Sequence, residues 1–385
     1  MKKIFLMILA ALLIVCMVSC SSKEEENEKV TDEVQLGANE DSTKDATGTF
    51  KFQLNSEGKC EIVEFVPASV AVVDVKLPAT TAEGRDVVGI AESAFKAQNS
   101  INSITIPATY TYVGNYAFYD CDSLTSVTFE GTNVTDIGTS AFEGCDKLAS
   151  INTPASVKNI ASFAFKGCVS LTSVKLEGIV NFGDGVFFGC STLKEVILSD
   201  TVKQINKNVF YDCPAIEYTA ENGALYLGSA ANKYAVLVSA ENLDIESCTV
   251  NAATTIIANK AFLDCDRLES VTLGAAVTTI SASCFENCTA LNYNESENGY
   301  YLGTADNSCM VFMSLADNAL EDFVLSKDTK ILCDTAFENA AALKDIYYKG
   351  TKAEWEAILK IENWNDGKTI RVLFGENADD SVIYE

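Results

Sequence analysis

The stretch AFYDCDSLTSVTF, residues 117–129, decides the fold. It returns as AFEGCDKLASINT at 141–153 and as AFKGCVSLTSVKL at 164–176. The phenylalanine recurs as Phe95, Phe118, Phe142, Phe165, Phe187, Phe210, Phe262, Phe285 and Phe337. Successive spacings are 23, 24, 23, 22, 23, 52, 23 and 52 residues, and a fixed period of this size marks a stacked-repeat architecture. Five positions before each anchor the residue is apolar, from Ile90 and Val113 to Ile280 and Leu332. Six positions after it stands Ile or Leu, from Ile101 and Leu124 to Leu291 and Leu343. The residue just before the anchor is small or β-branched throughout, as in Ala117, Val186 and Cys284.

Each repeat reads physically. LTSVTF (124–129), LTSVKL (171–176) and LESVTL (268–273) are short β-prone runs whose first, fourth and sixth residues are apolar and face inward. One such coil cannot bury its own inner face. Stacked coils can, with strands about 4.8 Å apart and hydrogen bonds running from coil to coil. The phenylalanines are then expected to stack into a spine.

The two long intervals resemble each other. ENGALYLGSAANKYAVLVSAENLDI (221–245) and ENGYYLGTADNSCMVFMSLADNALEDF (297–323) share Glu-Asn-Gly, a Tyr-Leu-Gly run and an apolar strand. Each is expected to be a β-hairpin elaboration, near 217–245 and 292–323. They serve either as structural expansion or as a binding ridge, with Tyr226, Tyr300 and Tyr301 as contact edges or as core. The solenoid proper is assigned to 95–346, with an N-terminal cap at 50–94 and a C-terminal cap and tail at 347–385. In the latter, Thr351-Lys352-Ala353-Glu354 has the form of a capping box. It predicts a short helix placing Trp355 on the last coil, followed by a strand at 369–374 and a frayed acidic tail from 375.

Charge and composition exclude several functions. The 385 residues carry 54 acidic and 28 basic side chains, for a net charge of -26. So acidic a chain repels nucleic acid and anionic headgroups. Histidine is absent, which removes the commonest general base and metal ligand and rules out Ser-His-Asp and Cys-His catalysis. No carboxylate pair or phosphate-binding glycine loop stands out, so the expectation is a non-catalytic chain without cofactor or metal.

The N-terminus, MKKIFLMILAALLIVCMVSCSSKEEE, has a positive start and an apolar core of signal length. Met17-Val18-Ser19-Cys20 resembles a lipobox, although methionine three before the cysteine departs from the usual pattern. Residues 1–19 are read as a lipoprotein signal peptide and Cys20 as the lipidated residue. Residues 20–49, rich in Glu, Asp, Ser and Thr, are read as a disordered acidic tether.

The pattern Ile-Gly-x-x-Ala-Phe-x-x-Cys-x-x-Leu-x-x-Val-x-Leu resembles the BspA-type leucine-rich repeat of bacterial surface proteins. The segment YYKGTKAEWEAI (347–358) is similar to an ending common in that family. The resemblance covers roughly residues 50–375. It implies a right-handed, β-rich leucine-rich repeat solenoid with short turns and helical segments, an α/β horseshoe-like superhelix. It also implies a cell-surface location and adhesion to a protein or glycan on host, matrix or other bacteria. The lipid anchor is read from the lipobox, and the CSSKEEE start resembles acidic signals that send some lipoproteins to the outer face of the outer membrane. A structural or envelope-assembly lipoprotein without external ligand is the alternative, and a glycan-processing accessory a more distant one.

Seven cysteines stand three residues after an anchor: Cys121, Cys145, Cys168, Cys190, Cys213, Cys265 and Cys288. Disulfides, metal ligation and packing are the alternatives. Equivalent positions in stacked coils have parallel side-chain vectors, which suits neither a disulfide dihedral nor a zinc tetrahedron. Buried thiols acting as small apolar groups with a weak donor fit the column.

The outward strand positions define the candidate binding face. One column holds Ser103, Ser126, Ser150, Ser173, Glu195, Ser270 and Asp345; the next holds Thr105, Thr128, Asn152, Lys175, Ile197, Thr272 and Tyr347. Small hydroxyls with few charges form either a merely tolerated solvated sheet or a polar platform for a protein or glycan.

Overall fold

The computed structural model describes residues 33–35 and 48–384, apart from 71, 204, 207, 281, 334–335, 361–363, 366 and 376–379. The signal segment, Cys20 and most of the tether lie outside the described residues. Each coil contributes two short strands to two parallel ladders. In the first ladder, Ile101–Ile106 pairs with Ser126–Phe129, and Ser150–Thr153 pairs with Ser173–Leu176 and then Glu195–Leu198. In the second, Val87–Ile90, Tyr112–Val113, Asp136–Ile137, Asn159–Ile160 and Asn181–Phe182 follow one another in parallel register. Alternation does the sorting: Val127, Ile151, Val174 and Val196 are buried, while their neighbours in sequence face outward.

The Ala-Phe segment forms a third ladder. The amides of Tyr116, Phe118 and Asp120 donate to the carbonyls of Thr139, Ala141 and Glu143 in the next coil, at 2.8, 2.7 and 2.8 Å. Tyr116 and Asp120 adopt φ of 55° and 54°, so every second residue turns its amide along the solenoid axis. The return side of each coil is accordingly a turn ladder with little helix. Left-handed residues two positions either side of the anchor stop a helix from forming. Among the described residues, helix is confined to Ala282–Phe285 (3₁₀) and Lys352–Ala357.

The phenylalanines stack, but not as one spine. From Phe95 to Phe210 the ring centroids are 5.0, 5.1, 5.3, 5.5 and 5.7 Å apart and the planes lie within 20°. Phe65 extends the stack at 5.4 Å from Phe95, and its amide donates to Ala94 O as the other anchors do to their neighbours. Phe262 and Phe285 form a separate pair at 5.4 Å. Phe337 packs instead on Phe312, at 5.1 Å and 36°. The breaks fall at the two long intervals, each of which inserts a coil lacking an Ala-Phe turn.

Those intervals are three-stranded meanders, Thr219–Glu221 with Ala224–Leu227 and Val236–Ala240, and Asn294–Ser296 with Gly299–Leu302 and Val311–Leu315. The third strand of each rejoins the solenoid by parallel pairing with Ile256–Ile257 or Ile331–Leu332. Tyr226 and Tyr301 are fully buried, and their hydroxyls accept from the amides of Asn251 and Ser326 at 3.3 Å. They are core residues, not contact edges. The shared Glu-Asn-Gly does not set the register. The positive-φ turn residues are Asn222-Gly223 in the first meander and Glu297-Asn298 in the second, at the same distance from the buried tyrosine. The tyrosine fixes the register and the turn follows it.

The column cysteines are buried, with Cys288 half-buried, and all twelve described cysteines are free. Cys121, Cys145, Cys168, Cys190, Cys213 and Cys288 each point Sγ at the anchor carbonyl of the preceding coil, Phe95, Phe118, Phe142, Phe165, Phe187 or Phe262, at 2.9–3.2 Å. That carbonyl also accepts the amide three residues on within its own turn, as Phe118 O does from Cys121 N at 3.3 Å, so the thiol is a second, weak donor to it as well as a space-filler. Burial pushes the Cys121 thiol up to about 12 and raises those of Cys145 and Cys168 as well.

Both caps differ from their sequence reading. Gly48–Leu54 pairs antiparallel with Cys60–Pro67, so the sheet begins before residue 50, and Glu33–Gln35 adds an antiparallel edge strand from within the segment assigned to the tether. An open sheet edge accepts extended backbone whatever the side-chain composition. At the other end the capping box is present and Trp355 is fully buried. The assigned acidic tail is instead partly a strand: Asp380–Tyr384 pairs antiparallel with Ile370–Phe374. Tyr384 supplies the hydroxyl that accepts from Trp355 Nε1 at 2.8 Å, the partner a buried indole requires.

Candidate binding surface

The strand ladder places the outward columns rung on rung. Ser103 lies beside Ser126 and Thr105 beside Thr128. Ser150, Ser173 and Glu195 align, as do Asn152, Lys175 and Ile197. Ser126, Thr128, Ser150, Asn152, Lys175, Glu195 and Ser270 are exposed, and Ser103, Thr105, Ser173, Thr272 and Tyr347 are half-buried. The amide of Ala149 donates to Thr125 O at 3.2 Å, joining the strand at 126–129 to the one at 150–153. Ser103 through Glu195 therefore form one surface.

Ser270 and Thr272 do not belong to that surface. They pair with Ser247 and Thr249 in a separate two-stranded ladder beyond the first meander. Tyr347 and Asp345 lie in a third sheet, where Tyr347 aligns with Val324 and Leu373. The meanders thus divide the expected face into three patches. Ser247 and Thr249 add a rung that the anchor spacing hid, since their coil has no Ala-Phe. The signal was SCT at 247–249, with Cys248 in the inward position that Val271 holds next door.

Charges sit at the ends of the first patch. Asp74 Oδ1 accepts from Asn102 Nδ2 at 2.8 Å and Ser103 Oγ at 2.7 Å. These bonds, Asn102 first, hold its carboxyl below the usual carboxylate range. At the third patch, Arg371 grips Asp345 through two bonds of 2.8 and 2.6 Å. Between the ends of the first patch, the hydroxyls of Ser126, Thr128 and Ser150 stand on exposed strand positions. Such a surface can donate and accept hydrogen bonds over several rungs without desolvating an ion.

Two strand ladders, a turn ladder and a repeating inward Leu, Val and Phe define a leucine-rich repeat solenoid. The chain belongs to the BspA-type leucine rich repeat family, whose repeat region matches residues 88–217 and 240–357 in six copies. It is similar to a leucine rich cell surface protein from Faecalibacterium prausnitzii A2-165, at 25% identity over 84% of this chain and 98% of that one, with a TM-score of 0.42. It is also similar to the T. pallidum leucine rich repeat protein, at 23% identity over 57% and 87% with a TM-score of 0.43. A third similar structure is the pneumococcal vaccine antigen PcpA, at 15% identity over 91% and 95% with a TM-score of 0.43. No functionally curated protein matches the sequence.

Proposed function

We propose that this chain is an exported, lipid-anchored scaffold that binds a protein or glycan on the host, the matrix or other bacteria through its strand face. The observation that carries it is the first patch: exposed hydroxyls in register on successive rungs of a chain whose net charge is -26. A rigid solenoid presents such a surface with little ordering cost, and the binding free energy is then spent on contacts. Cys20 supplies the membrane attachment and the acidic segment after it the reach. The test uses the chain lacking residues 1–20, screened against extracellular proteins and glycans. Saturable binding should appear and fall about tenfold or more when Ser126→Arg and Ser150→Arg are combined, since two bulky cations would stand in the centre of the contact. Binding to nothing in these sets, or binding indifferent to both substitutions, would contradict the assignment.

A further inference from the structure

The first break in the spine leaves a third kind of surface. In the coils from Phe95 to Phe165, the anchor amide and the amides two residues either side are directed at the next coil and bonded there. In the Phe210 coil the same three positions are Asn208, Phe210 and Asp212, with Asn208 and Asp212 again at φ of 59° and 57°. Their amides have no backbone acceptor among the described residues. Across the gap stands the Phe262 coil. There Ala261 O is taken by the amide of Ala240 at 2.7 Å, whereas Asn259 O and Leu263 O, the other two positions of the ladder, receive no backbone amide. Between the two turns lies a groove of about 310 Å³, lined by Phe210, Tyr211, Tyr218, Val238, Ser239 and Leu263 among others. Its rim residue Tyr211 is 60% exposed.

We propose that this groove receives an extended, neutral-to-basic peptide segment whose backbone completes the turn ladder and whose aromatic side chain enters the interrupted spine. Donors on alternate residues are the pattern an added strand satisfies, and apolar pockets beside them select its side chains. The carbonyls of Asn259 and Leu263 on the opposite wall, which receive no backbone amide among the described residues and in Leu263 only a long 3.9 Å thiol contact from Cys265, match the segment's own amides. Charge fixes the remaining preference. Lys260 on the groove wall is already paired with Glu286 at 3.2 Å, whereas the exposed Asp212 carboxylate has no ion-pair partner among the described residues. A cation on the segment is therefore favoured, and the acidity of the whole chain reinforces that preference. The groove is distinct from the strand face, so this site stands or falls independently of the proposed function.

The probe is the synthetic peptide KNIASFAFKG, which copies residues 158–167 and carries the Ala-Phe turn with two lysines. Added to the exported part of the chain, it should bind saturably and slow hydrogen exchange at the amides of Asn208, Phe210 and Asp212. Ser239→Trp, which fills the groove from a half-buried strand position, should weaken binding about tenfold or more. Asp212→Asn keeps a residue type that tolerates left-handed φ and should weaken binding about two- to fivefold; it serves as the probe variant if S239W does not fold. No saturation, protection of other amides instead of these three, or unchanged affinity in the folded variants would overturn the proposal.

Discussion

From Phe65 to Phe210 the coils follow one another without interruption; from Phe210 to Phe337 two meanders intervene. In the first region the same three ladders, the same stacked ring and the same thiol-to-carbonyl contact recur. In the second, each inserted coil meets its neighbours through a buried tyrosine and a parallel strand, and the turn ladder is open at Phe210. Regularity shares stability between neighbours, since every coil is held by two others. Interruption concentrates it in single residues such as Tyr226 and Tyr301, and leaves turn amides at the first seam without a backbone acceptor among the described residues. A rule kept over several coils and then broken marks a place to look for function.

The largest effect tests that sharing. Phe142 is fully buried between two stacked rings, and Phe142→Ala should cost about 3–5 kcal/mol in urea unfolding. Phe285 has one stacked neighbour, so Phe285→Ala should cost less, by about 0.5–1.5 kcal/mol for the missing ring pair. Equal losses would break the comparison.

The thiols sharpen it through pH. Cys121 titrates near 9.0 when unfolded and is pushed up to about 12 by burial. Above pH 9 the unfolded chain releases this proton while the folded chain keeps it. The thiol's contribution is therefore complete below pH 9 and is lost as pH rises towards 12, at about 1.4 kcal/mol per pH unit. Cys121→Ala should flatten the alkaline slope of a stability profile. An unchanged slope would contradict the burial argument.

Smaller effects follow at the seams. Tyr226→Phe and Tyr301→Phe each leave a backbone amide without its hydroxyl partner, at a cost of about 1 kcal/mol. The same measurement on Tyr112→Phe, outside the meanders, separates seam residues from ordinary tyrosines only if the acceptor role is specific; its hydroxyl meets Glu61 instead. The smallest effect is kinetic. Cys288 and Cys309 are half-buried whereas Cys121, Cys145, Cys168 and Cys190 are fully buried, so alkylation of the folded chain should mark the second region first, read by peptide mass mapping. Labelling of the four buried thiols at the same rate would erase the distinction.

Much of this was legible in the sequence because a solenoid writes its contacts periodically. Phe118, Cys121, Leu124 and Val127 recur at fixed offsets, and each offset is a place in the coil. Phe65 escaped because Glu64 precedes it and 30 residues separate it from Phe95. Ser247 and Thr249 escaped because their coil has no anchor. The turn ladder was not legible, since it depends on left-handed φ at Tyr116, Asp120 and similar residues that carry no common side chain. The division of the strand face into three patches was likewise hidden, because pairing partners across a meander depend on where the inserted strands rejoin the sheet. Asp380–Tyr384 looked like an acidic tail, but its alternate residues pair with a strand and close over Trp355.

The central claim is that the solenoid is displayed outward as a binding scaffold. Protease shaving of intact cells tests it most directly, using a glutamate-specific enzyme against the Glu24-Glu25-Glu26 run after Cys20. The account predicts release of the folded solenoid from intact cells, and retention of none of it in the washed pellet. A chain that stays whole on intact cells, and is cut only after the envelope is opened, would contradict it.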